Sequence, residues 1–196
     1  YQFRNEIILD VVGSYARHEY EGTRATGVDT ASAEFGADHY GIRFDASRLY
    51  DLEKGIVIRP KAGLEVTHLR QEGYAETNSA LGQSYDDESV NRVRSHLSVE
   101  VAKEVTLESE TTVVPKLRLG WKHEFNDDGM DSTSRFIGGG SEFTTQGQAV
   151  DRDTFNLRAG VDIFTQNSMQ IEASVEGDLA EDYEGFGGHV KAKWAF

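Results

Sequence analysis

Three local patterns in this chain have residue types that could do chemistry. His18-Glu19 and His123-Glu124 each set an imidazole beside a carboxylate. In extended chain, neighbouring side chains point to opposite faces, so neither pair can close on a single ion. Asn126 to Asp131 (NDDGMD) has the acidic spacing of a calcium-loop fragment. Phe136 and Ile137 stand where the loop's bidentate Glu is needed, which leaves an acidic surface loop. Gly138-Gly139-Gly140 leads into neither a helix pattern nor a Lys-Ser/Thr pair, so it lacks the parts of a phosphate cradle. Ser, His and Asp are plentiful, but none stands in a nucleophile-elbow context. The absence of cysteine removes disulfides, Cys-based zinc sites and thiol redox chemistry. A net charge of −14 argues against nucleic acid as a partner. The expectation is no catalytic residue, no cofactor and no metal site.

The informative chemistry is the placement of charge along period-2 segments. Eight segments alternate. They run from about Glu6 to Tyr20, Glu34 to Arg48, Ile56 to Gln71, Val90 to Lys103, Lys116 to Phe125, Arg152 to Thr165, Met169 to Leu179, and Gly185 to Phe196. One face of each carries Val, Leu, Ile, Ala and Gly, with Tyr, Trp and Phe near the ends. The other face is charged: Arg43, Asp45, Arg59, Lys61, Glu65, Arg94, Glu100, Arg118, Lys122, Arg158 and Glu172, with Asp162, Lys191 and Lys193 beside them. Both signs are interleaved, so pairing across strands is expected. Pro60 and Pro115 fall near the starts of their segments, where a missing donor is tolerable.

No apolar run approaches the ~18 residues of a spanning helix. At a mean hydropathy of −0.53 the chain would suit a soluble protein. A membrane β-barrel also keeps a low average, because only alternate residues meet lipid. The connections discriminate. Short ones fall at 49–55, 104–111 and 166–168; long polar ones fall at Glu21 to Ala33, Glu72 to Ser89 and Asn126 to Asp151, with 180–184 shorter. Short turns on one side and long loops on the other mark an up-and-down barrel of the outer membrane. The last segment carries Phe186, Gly188, Val190, Ala192, Trp194 and Phe196 on one face, the pattern of a closing strand with rings at the bilayer interface. A soluble barrel with the two faces reversed is the rival reading.

Specific strings carry a resemblance. PKAGLEVTHLRQEGYAE (Pro60 to Glu76), PKLRLGWKHEF (Pro115 to Phe125), the glycine-rich run from Ser134 to Gly147 leading into VDRDTF (Val150 to Phe155), and the ending Trp194-Ala195-Phe196 resemble the translocator domain of autotransporters, the type Va secreted proteins. The matches span most of the chain and occur in the family's order. The resemblance implies an all-β, antiparallel, up-and-down transmembrane barrel in a Gram-negative outer membrane that secretes its own passenger segment and anchors it at the cell surface. It implies outer-membrane lipid and lipopolysaccharide around the barrel, lumen-facing charges within it, and Trp194 and Phe196 as the signal read by the barrel-assembly machinery. The family's barrel has twelve strands, against eight here. The expectation is therefore the C-terminal part of such a barrel across residues 1–196, without the first strands, the linker helix or the passenger. Tyr1 to Glu6 has no signal-peptide character. A stand-alone small outer-membrane barrel, with partner-binding loops at Glu72 to Ser89 and Asn126 to Asp151, is the alternative.

Overall fold

The computed structural model describes residues 7–126, 129–166 and 168–194. Eight long strands follow one another: β1 (Ile7–Ala25), β2 (Thr30–Arg48), β3 (Ile56–Gln71), β4 (Glu88–Lys103), β5 (Thr112–Glu124), β6 (Asp153–Phe164), β7 (Met169–Leu179) and β8 (Glu184–Trp194). Each pairs antiparallel with its sequence neighbours, in the order β1 to β8. This is an up-and-down meander, and no α-helix occurs among the described residues. Neither the outer edge of β1 nor that of β8 is paired among the described residues, so the curled sheet is open.

Alternation and register place whole rows on one face, since directly opposed residues share a side. One such row is Leu9–Ala46–Ala62–Leu97–Trp121–Phe155–Leu179. The row beside it is Ser47–Lys61–Ser98–Gly120–Asn156–Asp178. The first kind of row is bare: Leu9 is 73% exposed, Leu119 60% and Val190 77%. The second kind is covered, with Asp45, Ser47, Glu124 and Asn156 all buried. The only buried hydrophobic residues among those described are Ala31 and Ala37. The sheet therefore curls around its charged face and shows its aliphatic face outward, the reverse of a soluble barrel.

On the outward face the apolar band spans nine residues per strand in β1 (Ile7 to Tyr15), β3 (Ile58 to Val66), β4 (Val93 to Val101), β5 (Val113 to Trp121) and β6 (Phe155 to Ile163). That is the length at which a tilted strand crosses a bilayer. The band steps along the sheet. Tyr15 aligns with Tyr40 and His68, whereas Trp121, at the same end of its band, aligns with Leu9 at the opposite end of β1's. Six residues of slip over four strand spacings is about 20 Å against 19 Å, a tilt of about 45°.

Both prolines face interruptions of the ladder. The β2–β3 pairing stops at Ser47↔Lys61 and resumes at Tyr50↔Ile58, so Pro60 lies opposite the gap. The β4–β5 pairing stops at Ala102↔Lys116 and resumes at Val105↔Val113, opposite Pro115. A residue that cannot donate sits where donation is not asked of it.

Three expected loops are corrected. Residues 21–33 are not a loop: β1 and β2 continue as a paired ribbon to Ala25↔Thr30, turning only at 26–29. Alternation fails as a guide there because the outward face turns polar (Glu21, Thr23, Ser32, Glu34) and the other carries small residues beside Arg24. The long connections 72–87 and 125–152 also contain strands. Phe143–Thr145, Ser132–Phe136, Gln83–Tyr85 and Tyr74–Ala75 form a second, four-stranded sheet above the barrel end.

Candidate functional site

The charged face is the candidate site. Strand pairing puts all eleven predicted charges on it: Arg43↔Glu65↔Arg94 form one row, Arg59↔Glu100↔Arg118↔Arg158 a second, and Glu172 pairs with Lys191 and Asp162. Asp45 is its best-connected member. It forms ion pairs with Arg43 (Nε at 3.0 Å) and Lys61 (Nζ at 2.8 Å), and lies 2.5 Å from His96 Nε2. His96 stands two strands away, with Gly63 between them in register. A Cβ on Gly63 would collide with both Asp45 and His96, so glycine is what lets them meet over β3.

Further pairs converge across the face. Arg94 meets Glu124 at 2.9 Å; Lys122 reaches Asp178 at 3.3 Å over β6, and Asp178 also takes Asn156 Nδ2 at 2.8 Å. Arg118 comes within 3.9 Å of Glu176. Arg59 donates to Ser47 Oγ at 3.1 Å and Arg158 to Ser174 Oγ at 2.9 Å. Contacts that jump an intervening strand require a concave face, since flat strands two apart are separated by about 9.6 Å. Glu65, Glu100 and Glu172 make no ion pair among the described residues, contrary to the simple expectation of cross-strand pairing. Water can satisfy them on a face this open.

Glu124, His96, Asp178, Lys116 and Asp162 belong to the same face; Lys116 pairs with Asp162. Counting the alternation two residues further along β7 would have reached Asp178. His123 is on the outward face against Asp153 at 2.9 Å, whereas Glu124 points inward to Arg94, so this His-Glu pair diverges as expected. Of the acidic loop Asn126 to Asp131, Asp127 and Asp128 lie outside the described residues. Trp194 is 71% exposed on the outward face opposite Met169. Phe196 lies outside the described residues.

The long-loop end is an ordered cap. Arg24, on the extended hairpin, forks onto Glu76 through Nε (2.8 Å) and an Nη (2.6 Å), and the Gln83 amide donates to the same carboxylate. The Arg24 contact, aided by that amide, holds the Glu76 carboxyl below its usual range. Asp29 accepts from Ser79 Oγ, Thr26 Oγ1 and the Ala80 amide, which depress its pKa in that order. Arg70 and the Gly73 amide do the same for Asp87. Rings of Tyr20, Phe35, Tyr74 and Tyr85 stack in a file with centroids 5.1, 4.3 and 4.5 Å apart. Burial raises the Tyr74 and Tyr85 phenols. Nothing local in the sequence announces Arg24–Glu76, whose partners are 52 residues apart.

Arg17–Asp38–Glu72 and Arg70–Asp87 sit just past Tyr15 and Tyr40 on the outward face and end the apolar band there.

The autotransporter β-domain family model matches residues 1–176. Two proteins called extracellular serine protease, both from Serratia marcescens, are each 23% identical to this chain, over 195 and 194 residues. The matches cover 97% of this chain and 18% of each relative, so the chain spans under a fifth of the length of these curated relatives. With the fold, the outward apolar band and a family match over most of its length, the chain belongs to the autotransporter β-domain family.

Proposed function

We propose that this chain is the membrane-embedded translocator part of an autotransporter, which carries a passenger segment to the surface of a Gram-negative cell and anchors it there. The carrying observation is the inverted polarity: aliphatic side chains cover the outside while Asp45, Glu124 and Asn156 are buried on the concave side. In this reading Arg43, Asp45, Arg59, Lys61, Glu65, Arg94, Glu100, Arg118, Lys122, Arg158 and Glu172 line an aqueous interior. Paired and hydrated charges keep that interior wet without a fixed ligand. The work is transport without bond chemistry.

The edges of β1 and β8, unpaired among the described residues, support a barrel with more strands than eight, since eight strands closed on themselves fill their interior with side chains and pass no polypeptide. Outer-membrane lipid and lipopolysaccharide would surround the band, and Trp194 with Phe196 would be read by the assembly machinery. The test is an epitope placed in the passenger of the protein as the cell makes it. Surface protease should remove the epitope from intact cells, and the β-domain should fractionate with the outer membrane and shift its gel mobility on heating. An epitope retained in the periplasm while the domain is correctly inserted would favour the small stand-alone barrel. A domain extracted without detergent would remove both readings.

A further inference from the structure

The outward face holds a depression. Where β2 and β3 cross it the side chains are small (Ala46, Pro60, Ala62), and taller ones rise beyond them at Leu97, Leu119 and Trp121, enclosing a trough of about 790 Å³. Its floor is Ala46 and Ala62, and the register row that carries them runs on past the taller Leu97 and Trp121 to Phe155. That row crosses four strand spacings, about 19 Å, the reach of one extended fatty acyl chain. Because the strands tilt, the row climbs from the short-turn end of β2 to the aromatic end of β5 and β6.

Arg48 stands at the low end of the trough. Its guanidinium lies over the Tyr50 ring, 5.0 Å from the centroid. It makes no ion pair among the described residues, and its Nε is shielded from solvent without a hydrogen-bond partner. Lys103, outward on β4 at the same end, is also without an ion pair among the described residues. The opposite end of the band differs: Arg17 is held by Asp38 and Glu72, and Arg70 by Asp87. Two cations of the outward face without an ion pair among the described residues, Arg48 and Lys103, thus stand at the short-turn end, where a phosphate would complete Arg48.

We propose that this trough seats one anionic phospholipid of the periplasmic leaflet, an acyl chain along the Ala46–Phe155 row and the headgroup phosphate accepting hydrogen bonds from Arg48. The proposal rests on the outer-membrane reading above. Lipopolysaccharide would sit at the long-loop end, where the arginines are already occupied.

The experiment uses the protein as the cell makes it, purified from outer membranes in mild detergent, then exposed to phosphatidylglycerol or phosphatidylcholine and weighed intact by native mass spectrometry. One phosphatidylglycerol should be retained in preference to phosphatidylcholine. Arg48→Gln should lower phosphatidylglycerol retention by roughly fivefold, the size of one partly exposed charge-assisted contact, and lower phosphatidylcholine, whose phosphate is offset by its own ammonium, by less. Ala62→Phe, which fills the floor, should lower both. Equal retention of the two lipids by the wild type, preferential retention of lipopolysaccharide, or an Arg48→Gln protein that keeps its phosphatidylglycerol would each overturn the site. Heat-modifiable mobility, read on every sample, separates these results from failure of the outer-membrane reading, in which the wild type itself would show no inserted form.

Discussion

Neighbouring residues 117 and 118 test the orientation of the whole sheet with opposite substitutions. Leu117 is the midpoint of the outward band Val113 to Trp121, between Val101 and Ala159, and is 48% exposed. Four residues separate it from either end of the band, about 13 Å along the strand or 9 Å along the membrane normal at 45° tilt. Arginine there enters near the bilayer midplane, where it costs about 2–4 kcal/mol, the lower figure holding if its stem snorkels toward headgroups. That is about 30-fold to 900-fold in the folded-to-unfolded ratio. Arg118, next along the chain, faces inward with contacts of only 3.9 Å to Glu176 and 3.4 Å to Asn156. Arg118→Leu should therefore cost under about 1 kcal/mol. Urea titration in phospholipid vesicles, read by heat-modifiable mobility, measures both. If Leu117→Arg shifts stability by less than about 0.5 kcal/mol, as at an ordinary water-exposed site, while Arg118→Leu is the damaging change, the polarity has been assigned backwards.

Gly63→Ala should break the Asp45–His96 contact and lower barrel stability, since its Cβ collides with both side chains; an unchanged urea midpoint would show that the two can part at no cost. Tyr74→Ala removes one of the two inner rings of the four-ring file and should loosen residues 72–87 by about 1–3 kcal/mol, two ring contacts of about 0.5–1.5 each, measured by local hydrogen exchange. The cap should also respond to acid. Glu76, Asp29 and Asp87 all titrate below their ordinary values when folded, so their contribution is present above the unfolded carboxylate pKa of about 4 and is lost as pH falls through the lower folded values. Amide exchange in residues 72–87 should be slow and flat from pH 7 to 5 once corrected for intrinsic rate, then rise below pH 4; protection unchanged down to pH 2 would remove that account. Replacing Trp194 and Phe196 with serine should cut outer-membrane levels sharply on immunoblots of membrane fractions, and undiminished insertion would dismiss them as an assembly signal.

The barrel strands were legible because a half-lipid, half-aqueous strand forces alternation, and alternation survives wherever both environments act. β3 and β7 begin and end where the pattern does, at Ile56–Gln71 and Met169–Leu179. The signal fades where both faces meet water. The β1–β2 ribbon beyond Tyr20 and Glu34 pairs fully, yet reads as loop because the outward face turns polar there (Glu21 with Glu34, Thr23 with Ser32) while the other face carries only Gly22, Arg24, Ala31 and Ala33. The charged face was legible residue by residue, but its pairing was not. Asp45 chooses His96 across a glycine, and Lys122 chooses Asp178 over a whole strand, choices set by curvature rather than by sequence spacing. The cap was invisible for a related reason, since Arg24 and Glu76 belong to different hairpins.

The same physics that orients the faces makes the edges decisive. In hydrocarbon each unpaired backbone group costs several kcal/mol, so only closed sheets cross a bilayer. β1 and β8 each present one open edge through the full apolar band, Ile7 to Tyr15 on one and Phe186 to Trp194 on the other. Alternate residues along an edge strand aim their N–H and C=O groups away from the sheet, about four or five of each band's nine. A penalty of that size far exceeds the net stability of an ordinary domain. In the proposed membrane reading both edges need bonding, and strands inserted between β8 and β1 would do this while widening the interior. The charges on the concave face agree with that geometry: Glu65, Glu100 and Glu172 carry no counter-ion among the described residues and need water beside them, which a barrel of eight tightly closed strands has no room to hold.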